Sequence, residues 1–376
     1  MKVLFICSHD VRVISGGGSQ CTNRNYLSLC KLLGAENVEI FQLVPGLQKS
    51  VVNGIDRAIS YIHGFEAGLT KNIVNEVVAL SDTYDIIFLD SSKYGVLSYH
   101  LKKNNFKGKI ISFFHNVEHK VFLQKVKINP FRFWRSFIIY HNEKNAVKNS
   151  DKIIVLHNRD LADLDKIYNL PLPESYIVPI SFKDKYPEHL SINLDDKTGI
   201  PPTCLFVGNE WFANIHGIRW FIDNVLDHVN VKLQIAGGAS EALSKQITHP
   251  KIEFLGFVSD LGSVIMDSDL IVAPIFKGGG MKVKVCESLM YGKHIIGTKE
   301  AFHGYNIDVR KVGAICENKN EFIEALQEFA SFKRKKFNVY NRNCFLNNYS
   351  FTSTLKIFND VIASSDVNQK LVQEVF

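Results

Sequence analysis

The chain has 376 residues, 46% of them hydrophobic, 11% aromatic and 22% charged. That length suits two domains with full-sized cores and excludes a disulfide miniprotein or a fibre, while 24 glycines and ten prolines argue against extended disorder. The charge balance of 44 − 38 = +6 is mildly basic and fits an anionic small substrate, a bacterial inner-leaflet surface or nucleic acid alike.

The chain opens on MKVLFICSHD, whose apolar run is cut short by Ser8, His9 and Asp10, so a strand is expected there and a signal peptide is not. KVLFIC (2–7), NVEIFQLV (37–44), YDIIFLD (84–90), KIISFF (109–114) and KIIVL (152–156) are continuous apolar runs of the kind that parallel sheets bury on both faces. Between them lie helical patterns, among them TNRNYLSLCKLLG (22–34), closed by Gly34, and KNIVNEVVALSD (71–82). The polar, Pro-containing stretch SFKDKYPEHLSINLDDKTGIPP (181–202) reads as a linker. The alternation then restarts with TCLFVG (203–208), VKLQIAGG (231–238), KIEFLGFV (251–258), DLIVAP (269–274), KHIIGT (293–298) and GAIC (313–316). Helices are expected to begin near Asn214, Val283 and Asn320, with more helix after about 335.

The expectation is an α/β protein of two Rossmann-like, doubly wound domains facing a cleft, 1–180 and 200–348, with 349–376 as a closing helix and tail. Seven cysteines without a C-x-x-C pair read as reduced core thiols. No run approaches 18 uninterrupted apolar residues, so no spanning helix is expected and a cytoplasmic location is the default.

Gly16-Gly17-Gly18-Ser19 follows the first strand and precedes a helix, where glycines let backbone amides approach an oxyanion. It is not a dinucleotide fingerprint, because Cys21 stands where the third glycine belongs; a ligand loop and a flexible turn both fit. A sharper run is Lys277-Gly278-Gly279-Gly280-Met281-Lys282-Val283-Lys284-Val285-Cys286-Glu287, after the strand DLIVAP and leading into a helix. Three glycines expose N–H groups at a helix start, where a diphosphate can sit; Lys282 and Lys284 add cations, and Glu287 can accept from sugar hydroxyls. The plain alternative is a flexible loop and a solvated helix with Lys–Glu pairing.

His115-Asn116-Val117-Glu118-His119 satisfies H-x-x-E-H, but it directly follows a strand, whereas that zinc motif needs both histidines on one helical face. A structural histidine is the other reading. The segment 120–140 (KVFLQKVKINPFRFWRSFIIY) interleaves five cations with aromatics; it suits an anionic membrane surface, with a core-facing helix over 131–148 as the alternative and base stacking as a third. Lys333-Arg334-Lys335-Lys336 reads as a solvated face.

The run from 203 to 305 resembles the donor half of GT-B glycosyltransferases of family 4, the group 1 glycosyltransferases. Phe206-Val207-Gly208 with Asn214, Gly217, Trp220 and Phe221 matches their opening, and LQIAGG, FLGFVSDL, SDLIVAPI, GGGMKVKVCESLMYGKHIIGT and AFHGY follow in order. The N-terminal match is thinner: GGGS, HNVE at 115–118, the segment around Glu143, and DKIIVLHNRD.

The resemblance implies a retaining transferase that uses a nucleotide-activated sugar, UDP- or GDP-linked, with no cofactor and no protein-bound metal. By position, Glu287 matches the second glutamate of the family's E-x7-E pair, which holds the ribose; the first would fall at Gly279. A family subset carries G-[SG]-G-x-[RK]-x-K-x-x-E, which Gly278 to Glu287 fits. The basic pair expected after FVG is absent, so diphosphate neutralisation falls to Lys284 first and Lys282 second. The remaining donor contacts implied are Gly17, Gly18, Gly208, Phe257, Val258, Gly280, Met281 and Val283, with His115 and Glu118 orienting donor sugar and acceptor.

His115, Lys284 and Glu287 are thus the residues expected to carry the chemistry. The implied role is building a bacterial surface polysaccharide, lipopolysaccharide or glycoprotein glycan on a glycan, lipid-linked or protein-linked acceptor, without nucleic acid. Peripheral contact with the inner face of the cytoplasmic membrane would run through 120–140. Two alternatives stay open: a catalytically silent homologue serving a partner transferase, and a nucleotide-sugar epimerase of the same fold.

Overall fold

The computed structural model describes residues 1–8, 10–13, 16–43, 64–66, 68–126, 133–187, 200–331 and 337–363. The chain divides into two compact units, one of Met1–Val178 with the chain from Thr352 onward, the other of Pro179–Phe351.

The first unit holds a six-stranded parallel sheet in the order β2-β1-β3-β4-β5-β6. Its strands are β1 (Val3–Cys7), β2 (Val38–Gln42), β3 (Ile86–Leu89), β4 (Lys109–Phe114), β5 (Lys152–Val155) and β6 (Glu174–Ile177). β1, β3 and β5 are buried throughout, as both-face apolar runs demand. Phe5 pairs with Phe88 across β1 and β3, and their rings stack at 5.3 Å. β2 departs from that expectation: it is an edge strand with Glu39 and Ile40 exposed. β6 went unforeseen, because Glu174-Ser175-Tyr176-Ile177 is half polar and lies at the other edge.

The second unit repeats the theme with β7 (Thr203–Val207), β8 (Lys232–Ala236), β9 (Ile252–Gly256), β10 (Leu270–Ala273), β11 (His294–Gly297) and β12 (Gly313–Ile315). All are parallel, in the order β12-β11-β10-β7-β8-β9. The chain therefore winds outward from β7 to β9, returns beside β7 and winds the other way. The order reverses between β7 and β10, and in the first unit between β1 and β3. Beyond the carboxyl ends of the strands at such a reversal, open α/β sheets leave a crevice for ligands.

Residues 181–187, read as the start of a linker, are instead tied into the second unit. Phe182 bridges Ser350, and Arg342 donates to the Asp184 carboxylate. The closing helix, Phe351–Ile362, packs on the first unit: Phe358 is fully buried with the Arg24 guanidinium 5.3 Å over its ring, and Lys152 donates to Ala363 O at 3.1 Å. The rest of the linker (188–199), residues 127–132 of the aromatic-basic segment, the cluster Lys333–Lys336 and the tail from 364 lie outside the described residues, as does Val44.

Candidate functional site

In the second unit the glycine run leaves β10 and enters the helix Val283–Met290. Gly278 (φ +129°) and Gly280 (φ +60°) take backbone conformations that side chains rarely adopt, which is why the loop can turn within three residues. Lys282 stands at the N-cap without a side-chain cap hydrogen bond, and its carbonyl accepts from Val285 N at 3.0 Å. Its ammonium donates to Gly280 O at 2.8 Å and lies 2.9 Å from Glu300 Oε1, tying the loop to the segment after β11.

Lys284 is 9% exposed. Its Nζ donates to Asn214 Oδ1 at 2.9 Å and sits 3.9 Å from the centre of the Phe206 ring. No carboxylate among the described residues pairs with it. Burial, and then the neighbouring charge of Lys282, push this ammonium down to about 7, with Glu287 opposing. Both choices run against stability. A helix N-terminus disfavours cations, and a buried charge wants an ionic partner.

Gly208, at the end of β7, closes the underside of this arrangement. A Cβ there would lie 2.8 Å from Phe206 Cε1 and 3.1 Å from Asn214 Cγ, the two groups that hold Lys284. Glu287 lies three residues beyond Lys284 on the same helix face and is partly exposed. Met281 is buried, its sulfur accepting from Ile180 N at 3.4 Å, so that side chain faces the core. Phe257 follows β9 and is 82% exposed, with Val258 half-buried behind it. Gly279 is half-buried within the loop. Asn214 and Phe206 were visible only as parts of the opening motif; nothing in the sequence marked them as the cradle of a lysine.

In the first unit, Gly16 caps the helix Gly17–Leu33 and its N–H donates to Ser19 Oγ at 3.0 Å. Open space surrounds the Cβ direction of Gly18. His115 directly follows β4 and its Nε2 is 2.7 Å from the Asp90 carbonyl; because a carbonyl only accepts, Nε2 carries the proton. The same nitrogen is 3.4 Å from Asp90 Oδ2. Asp90, buried at the end of β3, also accepts from Thr22 Oγ1 and from Asn25 Nδ2. Burial works against the charged imidazole, but the Asp90 bond and charge outweigh it and raise His115 to about 10.

Glu118 is paired with Lys93 at 2.9 Å and accepts from Asn116 at 3.2 Å. Burial alone would raise its carboxyl; Lys93 wins and holds it below the ordinary range. His119 turns away, its Nδ1 3.1 Å from Ser136 O, so the H-x-x-E-H side chains do not converge. Among the described residues no three His, Cys, Asp or Glu side chains group as metal ligands. Glu143, fully buried, accepts from the backbone N–H groups of Glu118 and His119, from Ser92 and from Tyr168, and thereby caps the helix Glu118–Val126 from below. Burial pushes its carboxyl up to about 7.

Among the described residues of the aromatic-basic segment, Lys120 is paired with Asp163 and Arg135 with Glu66. Phe133, Trp134 and Phe137, on the first turns of the helix Phe133–Asn149, are 51%, 51% and 62% exposed. No described helix is long and apolar enough to cross a membrane.

Residues 201–331 match the family model described as "Glycosyl transferases group 1". That segment spans the second sheet with its glycine loop, and the group 1 resemblance read from the sequence holds there. Over nearly its whole length the chain is also similar to solved structures. HepE of Anabaena in complex with UDP and glucose aligns at 12% identity over 96% of this chain and 99% of that one, with a TM-score of 0.65. Sucrose-phosphate synthase of Thermosynechococcus elongatus aligns at 14% over 96% and 98%, TM-score 0.72. The apo form of WaaB, a lipopolysaccharide outer core galactosyltransferase, aligns at 15% over 96% and 99%, TM-score 0.62. At such identities the likeness is one of fold, and the fold is GT-B: two six-stranded parallel Rossmann-like sheets. No curated protein sequence matches the chain.

Proposed function

We propose that the protein is a retaining, metal-independent glycosyltransferase of family 4 that moves a sugar from a nucleotide-sugar donor to a glycan, lipid-linked or protein-linked acceptor. The observation that carries this reading is Lys284, an enclosed ammonium with no carboxylate partner among the described residues, placed at a helix N-terminus that has no side-chain cap, beside a glycine loop. Stability alone would not select that combination; a diphosphate leaving group would. As the bond to the sugar breaks, negative charge grows on the outer phosphate, and fixed donors aimed there lower the barrier without reorganising. In this reading Lys284 and the first-turn N–H groups receive the diphosphate, Glu287 holds the ribose, and the loops after β7 and β9 meet the rest of the nucleotide. HepE with UDP and WaaB as a galactosyltransferase, distant as they are, support a UDP-sugar as the first donor to test.

The first unit takes the acceptor, with His115 and Glu118 orienting the reacting groups. Its exposed Phe133, Trp134 and Phe137 favour peripheral docking on the inner face of the cytoplasmic membrane, and the product belongs to bacterial surface polysaccharide or glycoconjugate synthesis.

The test is thermal stabilisation by UDP, GDP and their sugars with EDTA present. A ligand at 100 times its dissociation constant adds about 2.7 kcal/mol. Stabilisation by one nucleotide family, unchanged by EDTA and lost in Lys284→Ala, is the expected result. No shift with any donor would overturn the reading and leave a catalytically silent homologue.

A further inference from the structure

Asp90 is gripped on every side. Its two carboxylate oxygens take Thr22 Oγ1 and Asn25 Nδ2 from the helix Gly17–Leu33, its own N–H donates to Ile6 O at 3.0 Å, and its carbonyl takes His115 Nε2 at 2.7 Å. It is 3% exposed, so the carboxylate cannot turn to water, and the His115 ring beside it is 16% exposed. Thr22 and Asn25 donate only to the carboxylate, which keeps an anion 3.4 Å from Nε2. One side chain thus joins the helix that begins at the glycine loop to the histidine that directly follows β4.

We propose that Asp90 is a positioning residue: through Nε2 it fixes the His115 ring in one orientation and holds it as the imidazolium, so that His115 works as a fixed positive charge and not as a proton acceptor. The other charged and titratable groups around the pair agree on balance. Cys21, on the same helix as Thr22, favours the charged ring, and Glu118 couples attractively to it. Arg24 lies beyond the Phe113 ring, its guanidinium 5.8 Å over that ring, which meets His115 edge-on at 4.7 Å. Tyr94 faces Asp90 and burial keeps its hydroxyl protonated, so it brings no charge. Asp90, with its Oδ2 3.4 Å from Nε2, is the anion in contact with the ring, while the charge of Glu118 is shared with Lys93 at 2.9 Å.

The consequence, which rests on the transferase reading, is that His115 cannot take the acceptor's proton, because the ring already carries two. The acceptor hydroxyl must lose its proton to another base, and the departing phosphate is the chemically available one. What His115 supplies instead is a placed cation.

The protonation state can be read without any activity. Nitrogen-15 spectra of the imidazoles at pH 8, with His115→Asn identifying the His115 signals among 13 histidines, are expected to show both ring nitrogens protonated. In Asp90→Asn the titration midpoint should fall by about 1–3 units, the usual effect of removing a close opposite charge, so that the neutral ring with its proton on Nε2 appears at lower pH than in the unaltered protein. Thr22→Val, which loosens the carboxylate without touching His115, should give a smaller shift in the same direction. A neutral ring in the unaltered protein at pH 8 would overturn the proposal, even if Asp90→Asn did not fold, and so would an unchanged midpoint in a folded Asp90→Asn. Neither result bears on nucleotide binding, and a failure to bind nucleotide would leave this inference standing.

Discussion

Lys284 Nζ rests 3.9 Å from the centre of the Phe206 ring and 2.9 Å from Asn214 Oδ1, so a buried ammonium is held by a π face and an amide where an ion pair would be expected. The cradle restrains the charge without neutralising it. A carboxylate in the same place would compete with an incoming phosphate; an amide and a ring do not.

Stability should therefore rise with pH through the second unit. In the unfolded chain the lysine titrates near 10.5 and in the folded one at about 7. Between those values the unfolded chain binds more protons, so stability increases across the window, while below 7 the full cost of burying the charge applies. Lys284→Met should flatten this slope: relative to the unaltered protein it gains stability below pH 7, and the gain vanishes towards 10.5. Urea unfolding at pH 6, 8 and 10 measures it. A bound diphosphate would favour the ammonium, so nucleotide affinity should fall as pH rises above 7, with proton uptake visible by calorimetry in buffers of different ionisation enthalpy. Lys284→Ala should weaken binding by about 1.5–3 kcal/mol, the worth of a hydrogen bond to a charged group.

His115 gives the opposite slope. Its folded value is raised to about 10, so its contribution is complete below the ordinary 6.5 and is lost as pH rises through 10. His115→Asn should be less stable than the unaltered protein at pH 6, and the gap should narrow by pH 10. Equal gaps at both pH values would remove the charged imidazole from the account of stability.

Gly208→Ala tests the cradle from below. The added methyl meets Phe206 Cε1 at 2.8 Å and Asn214 Cγ at 3.1 Å, and the ring is fully buried and cannot swing away. Overpacking of this kind costs about 1–3 kcal/mol. Because the displaced groups are those that hold Lys284, nucleotide affinity should fall alongside the melting temperature. A variant that lost stability yet bound UDP or GDP as before would show that Lys284 does not depend on this support.

The same comparison shows what the sequence made legible. The six apolar runs of the second half all became strands, and in β10 and β11 the reason is plain: the doubly wound sheet buries both their faces, and the sequence writes that burial as an apolar, largely β-branched stretch. β6 was missed because an edge strand has no such obligation. The glycine loop could be read because Gly278 and Gly280 serve backbone conformations that other residues avoid. Asn214, Phe206 and Asp90 could not, since their roles arise from contacts 70 residues apart in the first case and 65 in the last. An acidic residue at the carboxyl end of β3 was the one available signal for Asp90, and many such residues merely cap a turn.

Lys282 and Glu300 supply a further test. The ion pair is 11% and 20% exposed, and the same ammonium donates to Gly280 O, so it ties the glycine loop to the segment after β11. Glu300→Gln and Lys282→Ala should each weaken nucleotide binding, and together they should cost less than the sum, by at least about 0.5 kcal/mol for side chains in direct contact. Strict additivity would mean that Lys282 acts on the ligand independently of Glu300.

The aromatic face of the first unit makes the last prediction. Phe133, Trp134 and Phe137 lie at spacings of one and four residues on one helix, each about half exposed or more, and the rings of Phe133 and Phe137 meet edge-on at 5.2 Å. Lys120 and Arg135 are already paired with carboxylates, which reduces what they can offer an anionic surface. Burying an aromatic side chain is worth about 1.5–3 kcal/mol, which makes the rings, more than the charge, the source of affinity for a bilayer interface. Replacing all three by serine should abolish co-sedimentation with vesicles of phosphatidylglycerol and phosphatidylethanolamine and leave nucleotide binding intact. Raising the salt should weaken the unaltered protein's binding only in part, since apolar insertion is not screened. Vesicle binding that survived the triple serine variant would mean that these rings serve another partner, and single-stranded oligonucleotide binding lost in the same variant would name stacking on bases as their use.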